Sequence, residues 1–103
     1  SAIYMLDVLE HISKKNENSF ISNILNSLEK TGTLIVGIPS IEFQKFSSDR
    51  KGHINCKTGD DLKKLFKKYF YNVYLFSMND EIVSTSFSKM ACYLIVICSY
   101  KKK

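Results

Sequence analysis

Residues 1–12 read SAIYMLDVLEHI and join a short apolar run to two acids and a histidine. Ala2–Leu6 is a continuous apolar run that ends at Asp7, which is typical of a buried strand. Glu10 and His11 follow within one helical turn of Asp7. Because residues three apart in such a turn lie on the same side, a turn after the strand would aim these three side chains into one cleft. The segment therefore predicts a strand with a candidate site at its end.

Three more apolar runs indicate further strands. They are residues 33–38 (TLIVGI), closed by Pro39, residues 73–78 (VYLFSM) and residues 90–99 (MACYLIVICS). Two segments have helical periodicity. The first has apolar residues at spacings of three and four, namely Phe20, Ile21, Ile24, Leu25 and Leu28. The second begins at Thr58, a favourable N-cap, and its predicted buried face consists of Leu62, Leu65, Phe66 and Tyr69.

This order of elements predicts an α/β fold in one domain, residues 1–103. Alternating strands and helices indicate right-handed crossovers and a mainly parallel sheet. No helix-length pattern separates the last two strands, so we expect them to pair antiparallel. Residues 40–57 show no periodicity, which is typical of either a functional loop or a partly helical segment.

Composition narrows the class of protein. The chain is 45% hydrophobic and 24% charged, which excludes intrinsic disorder. Its net charge of +5 permits nucleic-acid binding without requiring it, since lysine-rich surfaces also serve solubility. Cys56, Cys92 and Cys98 have no paired metal-binding spacing, so we expect no disulfide framework or zinc knuckle, and core positions for Cys92 and Cys98. No run is long enough to span a bilayer or act as a signal peptide, which predicts a cytoplasmic protein without a membrane partner.

Four segments together resemble class I S-adenosylmethionine-dependent methyltransferases. They are DVLEHI, TGTLIVGIPS, GHINCKTGDDLKKLF and YLIVIC. The closer resemblance is to the small-molecule group that includes the ubiquinone-pathway O-methyltransferases. That family has a Rossmann-like sheet in the order 3-2-1-4-5-7-6, with the last strand antiparallel. The resemblance implies that the four predicted strands correspond to family strands 4, 5, 6 and 7, and that strands 1 to 3 are missing.

A partial Rossmann-like fold has consequences for partners. The resemblance implies the C-terminal half of a methyltransferase, cut just before family strand 4 and inactive alone, because the glycine-rich turn that grips S-adenosylmethionine is not in this sequence. Ala2–Leu6 would then expose an edge and apolar faces, which favours association. We expect it to pair with the N-terminal half of the same enzyme or with a second copy. The expected acceptor is a small molecule, methylated on oxygen.

The same resemblance also implies roles for individual residues. The resemblance implies that Leu6 and Asp7 contact the cofactor, and that the loop containing Asn79, Asp80 and Glu81 contacts the acceptor. A plain hairpin loop is the alternative for the latter segment. Alternatively, Asp7 caps the helix that follows.

Histidine and acid side chains also suggest catalysis. An imidazole is a natural general base near neutral pH, so His11 is the first candidate and His53 the second. A divalent metal bound by Asp7, Glu10, His11 and His53 is the alternative, since two acids and two imidazoles suit such an ion. This set resembles the ligands of small-RNA 2′-O-methyltransferases, with Asp7 in place of a Glu. Glu10 and His11 could also be structural. A non-catalytic binding or oligomerisation module and an RNA-modifying enzyme remain alternative functions.

Overall fold

The computed structural model describes residues 1–39, 55, 57–79, 82–84 and 93–102. Within these residues the chain forms two helices and the strands of one sheet. The strands are β1 (Ala2–Leu6), β2 (Thr33–Pro39), β3 (Phe70–Asn79), β4 (Ile82–Ser84) and β5 (Tyr93–Lys101). The helices are α1 (Lys14–Asn26) and α2 (Gly59–Lys67), and a short 3₁₀ turn, Leu9–His11, lies between β1 and α1.

The sheet has the order β1-β2-β5-β3-β4. β1 and β2 are parallel, whereas β5 runs antiparallel to both of its neighbours, β2 and β3. The α/β prediction with two helices is confirmed, and so is the antiparallel pairing of the last two long strands. The prediction of a mainly parallel sheet is wrong. Because β5 enters between β2 and β3, β1 and β2 form the one parallel pair among the described strands.

The strand boundaries differ from the sequence prediction at several points. β3 begins at Phe70, three residues before the predicted start, and β5 continues to Lys101. The sequence prediction also missed β4, which pairs antiparallel with the end of β3. β1 is the edge strand of the described sheet, as expected.

One face of the sheet packs against both helices and forms the core. The buried residues on the sheet alternate along each strand and include Met5, Leu34, Val36, Ile38, Val73, Leu94, Val96 and Cys98. The helices contribute Ile21, Leu62, Leu65 and Phe66, and Leu28 joins them just after α1. Phe20, Ile24, Leu25 and Tyr69 of the predicted helical faces are partly buried against this cluster. Each fully buried large side chain stabilises the fold by about 1.5–3 kcal/mol.

The opposite face of the sheet is less covered than expected for a buried strand. Tyr4, Leu6 and Tyr74 are 71%, 53% and 58% exposed. The register partners of Tyr4 and Tyr74, which are Ile35 and Ile97, are partly buried. β1 is therefore buried on one face, through Met5, and not on both.

Local contacts define the start of α2 and the environment of Cys98. Thr58 Oγ1 accepts a hydrogen bond from the Asp61 backbone N–H at 3.1 Å, which confirms the predicted N-cap. Cys98 is a free, buried thiol, as predicted, and burial raises its pKa to about 12. Cys56 and Cys92 lie outside the described residues. No helix within the described ranges is long and apolar enough to cross a membrane.

Candidate functional site

The candidate site lies where β1 and β2 end and β5 begins. Because β5 is antiparallel to its neighbours, its first residue, Tyr93, lies beside the last residues of theirs, pairing with Pro39 of β2 and Met78 of β3. Asp7 follows β1 at the same edge of the sheet. In open α/β sheets, ligands bind beyond the carboxyl ends of parallel strands.

Asp7 links this edge together. Its backbone N–H donates to the Gly37 carbonyl oxygen at 2.9 Å, and its φ of 57° lies in the left-handed region, which Asp tolerates better than most residues. The Tyr93 hydroxyl donates to Asp7 Oδ1 at 2.9 Å. The turn after β1 is thus tied to both β2 and β5.

Gly37 makes this contact sterically possible. A Cβ atom at Gly37 would lie 2.8 Å from Leu6 Cδ2 and 2.8 Å from both Cε2 and the hydroxyl oxygen of Tyr93. Real Cβ atoms essentially never approach other atoms so closely. The absence of a side chain in the middle of β2 therefore lets the Tyr93 ring cross β2 and reach Asp7.

Glu10 and His11 lie on the 3₁₀ turn that follows. Glu10 is completely buried, whereas the His11 side chain is 45% exposed. Glu10 Oε2 lies 4.0 Å from His11 Nε2, at the outer limit for an ion pair. The Asn55 backbone N–H donates to the Glu10 carbonyl oxygen at 2.9 Å. This hydrogen bond holds the 3₁₀ turn against the segment that precedes α2.

The electrostatics of Tyr93 connect both carboxylates. Burial raises the pKa of Tyr93 well above its ordinary value of 10.0, and the hydrogen bond to Asp7 and the charges of Asp7 and Glu10 raise it further. Tyr93 therefore stays protonated near neutral pH and acts as a hydrogen-bond donor. The Asp7 carboxylate is the acceptor of that hydrogen bond.

Four of the predicted site residues lie in the segment that ends β1 and forms the turn after it, but Asp7, Glu10 and His11 do not gather into one group that could hold a metal ion. Leu6, Asp7, Glu10 and His11 all lie at the end of β1. His53, Asp80 and Glu81 lie outside the described residues, and only the backbone of Asn79 is described, as the last residue of β3. Within the described ranges, no three His, Cys, Asp or Glu side chains form a group that could hold a metal ion. The four-residue metal set, which includes His53, stays a prediction.

His11 also borders a groove along α1. The groove has a volume of about 520 Å³ and is lined by His11, Ile12, Ser13, Asn16, Ser19, Phe20 and Asn23. The described residues of its lining combine amide, hydroxyl and apolar groups and include no lysine, arginine or carboxylate. The half-exposed imidazole is therefore accessible from a mixed, uncharged part of the described surface.

Sequence reasoning missed Tyr93 and a buried polar network. Lys57 Nζ lies 2.8 Å from Glu17 Oε1, Asn55 Nδ2 donates to the same oxygen at 2.7 Å, and Lys57 Nζ donates to Asn55 Oδ1 at 3.2 Å. Glu17 is separated from Asn55 and Lys57 by about forty positions, so no local sequence pattern predicts the network. Tyr93 had one signal, a phenol within an otherwise mostly apolar run.

Comparisons with protein-family models, curated proteins and solved structures gave no match for this chain.

Proposed function

We propose that this chain is part of a class I S-adenosylmethionine-dependent methyltransferase that methylates a hydroxyl oxygen of a small molecule. The observation that carries the proposal is the strand order β1-β2-β5-β3, with β5 antiparallel between its neighbours. This order corresponds to 4-5-7-6 in the resembling family. A fold does not define a function, so the proposal also depends on the side chains at the carboxyl ends of these strands.

The end of β1 has the chemistry that the cofactor requires. Leu6 offers an exposed apolar side chain and Asp7 a carboxylate at the adjacent position. A carboxylate suits the ammonium group of the cofactor's methionine end. The Tyr93 hydroxyl orients the Asp7 carboxylate and leaves its second oxygen available for that contact. When bound, S-adenosylmethionine supplies an electrophilic methyl group on a positively charged sulfur.

His11 is the proposed general base. A hydroxyl acceptor that takes up a methyl group would have to release its proton, and the half-exposed imidazole of His11 is accessible for that proton. The buried Glu10 carboxylate, 4.0 Å from His11 Nε2, stabilises the imidazolium that forms. Tyr93 is unsuited to this role because its raised pKa keeps it protonated.

Divalent-metal binding by Asp7, Glu10, His11 and His53 remains a separate proposal. Asp7 is engaged with Tyr93, and the described residues alone offer no metal group, so the set depends on His53. No step of the proposed reaction requires it. Unchanged activity after exhaustive chelation would exclude this version.

The remaining parts of the site would come from outside this chain. Within the described sheet, β1 is an edge strand, and this edge and the exposed side chains of Tyr4 and Leu6 suit added strands and a covering layer. We propose the N-terminal half of the same enzyme as the partner, with a second copy as the alternative, and a cytoplasmic location. A non-catalytic binding or oligomerisation module is the competing function, and it predicts no methyl transfer by the whole protein.

Turnover by the protein translated from its whole reading frame tests the proposal. S-adenosylhomocysteine formation is measured with a panel of phenols and catechols as acceptors. His11→Ala should lower kcat by about 10²–10⁴-fold, the usual contribution of a general base, while S-adenosylmethionine binding is retained. Ser13→Ala, a change in the same groove, is the matched control and should keep normal kcat. Normal kcat in His11→Ala would remove the proposed base, and absence of turnover with the whole panel would favour the non-catalytic module.

A further inference from the structure

A second surface lies at the opposite end of the sheet, where β3 begins and β5 ends. We call this the amino-edge patch and define it as Lys68, Tyr69, Tyr71, Tyr100, Lys101 and Lys102. The two helices also end here, and a cavity of about 400 Å³ lies between their C-termini and the end of β5, with Tyr71 and Tyr100 outside its lining. Three lysines and Tyr69 line this cavity together with Ser22, Leu25 and Asn26, and no acidic residue is among them.

Two of these lysines are held in place by helix ends. Lys101 Nζ donates to the Leu25 carbonyl oxygen at 2.6 Å, and Lys102 Nζ donates to the Lys67 carbonyl oxygen at 2.9 Å. Such bonds satisfy carbonyl groups at helix C-termini, which is a structural role. Each ammonium has three donors, however, and these bonds use one of them. The anchored groups therefore present further donors in fixed positions around one cavity.

Tyrosine rings lie beside the lysines. Tyr71 is 69% exposed and Tyr100 is 53% exposed. Tyr71 and Tyr100 lie between the register pairs Phe70–Lys101 and Asn72–Ser99, at opposed positions of β3 and β5. Lys102 Nζ lies 5.4 Å from the Tyr71 ring centroid, at cation–π distance.

The backbone at Tyr100 is strained. Its φ is 58°, in the left-handed region that bulky residues rarely occupy. Strained conformations of this kind concentrate at functional sites, where function requires a geometry that lowers the stability of the fold. The exposed Tyr100 side chain contributes little to the core. Packing therefore does not explain why a tyrosine occupies this strained position.

We propose that the amino-edge patch binds single-stranded nucleic acid. The anchored lysines contact backbone phosphates, and the exposed tyrosines stack on bases. Proteins that bind single strands without sequence preference combine these two contacts. Tyrosines and lysines also bind at anionic membrane surfaces. A cavity of about 400 Å³ lined by three lysines, however, suits a discrete phosphate group better than a flat bilayer surface. The inference is independent of the proposed methyltransferase function, since the patch lies at the other end of the sheet from Asp7 and His11.

Fluorescence anisotropy of a labelled oligouridine of about 12 nucleotides tests the charge contribution. With three phosphate contacts, the logarithm of the association constant should fall with the logarithm of salt concentration at a slope of about −2. The double variant Lys68→Gln/Lys102→Gln should reduce that slope to about −0.7. The control Lys14→Gln/Lys15→Gln makes the same change in net charge at the first turn of α1, near the other end of the sheet, and should keep most of the slope. An equal loss in both double variants would overturn the proposal.

Substitutions of the tyrosines test the stacking contribution. Tyr100→Gly removes the ring and relieves the backbone strain, so affinity should fall about tenfold while the melting temperature does not decrease. Tyr71→Ala should weaken binding to a similar extent, and Tyr74→Ala, an exposed tyrosine elsewhere on β3, should not. Heparin and phosphatidylserine vesicles are the comparison polyanions. If Tyr71→Ala and Tyr100→Gly leave oligouridine affinity unchanged, or if vesicles bind with equal affinity and salt dependence, the patch does not recognise nucleic acid.

Discussion

Replacing Lys57 with methionine should destabilise this domain strongly, because Lys57 is paired with Glu17 in a buried network. The two side chains are 9% and 12% exposed, and Lys57 Nζ lies 2.8 Å from Glu17 Oε1. At an effective dielectric constant of about 20, charges at that separation attract by about 6 kcal/mol. Desolvation of both ions offsets most of this attraction, so the pair itself adds little.

Breaking the pair is a different matter, since it leaves the Glu17 carboxylate buried without its counter-charge. Loss of one partner typically costs about 3–5 kcal/mol. Asn55 Nδ2 still donates to Glu17, which favours the lower end, about 3 kcal/mol. A domain of this size has a total stability of about 5–15 kcal/mol, so the melting temperature should fall by about 12–24 °C.

Urea and thermal unfolding, followed by circular dichroism, measure this loss. Lys15→Met is the control, because it removes the same positive charge from an exposed position. This replacement should change stability by less than about 0.5 kcal/mol. The double variant Glu17→Gln/Lys57→Met should lose at least about 1 kcal/mol less than the sum of the single variants. If Lys57→Met behaves like Lys15→Met, the reasoning from burial is refuted.

Three further predictions concern single contacts. Gly37→Ala should destabilise the fold by about 1–3 kcal/mol in urea unfolding, because its Cβ would meet Leu6 and Tyr93 at 2.8 Å; an unchanged midpoint would disprove the close approach. Tyr93 has a raised pKa in the folded state, so its contribution is complete below about pH 10 and is lost as pH rises further; stability curves of wild type and Tyr93→Phe should therefore converge above that pH, whereas a constant difference would contradict the shift. Thr58→Ala should cost about 1 kcal/mol of unfolding free energy and Thr58→Ser much less; equal losses would argue against the cap.

Much of the fold was predictable because it depends on local patterns. Apolar spacing located both helices, and the N-cap at Thr58 was readable from its position before two acids. The antiparallel pairing of β3 and β5 followed from the absence of a helix-length pattern between the two apolar runs. The entry of β5 between β2 and β3 was different, because the residues give no local signal for strand order; only the family resemblance implied it.

The site was predictable in part for the same reason. Asp7, Glu10 and His11 are close in sequence, so a single turn brings them to one edge. Tyr93 and Gly37 join the site only through the register of β2 and β5, which pairs Gly37 with Ile95 two positions beyond Tyr93. The Glu17–Lys57 pair similarly depends on how the segment before α2 returns to α1. Such contacts are set by tertiary structure and cannot be derived from spacing.

The stability network and the proposed site are physically connected. Asn55 contacts Glu17 through its side chain and the Glu10 carbonyl through its backbone N–H. A change at Lys57 that loosens Asn55 should therefore also loosen the turn that carries His11. Stability and the geometry of the proposed base are expected to vary together in this domain.

Binding of S-adenosylmethionine to the protein translated from its whole reading frame tests the central claim most directly. Isothermal titration calorimetry should show saturable binding at one site. Asp7→Asn keeps the side-chain shape and an acceptor for Tyr93 but removes the negative charge, so it should weaken binding by about tenfold or more, as expected for loss of a charge-assisted hydrogen bond. Asp60→Asn, an equal charge change at the start of α2, should not. Failure of the whole protein to bind either S-adenosylmethionine or S-adenosylhomocysteine would contradict the account.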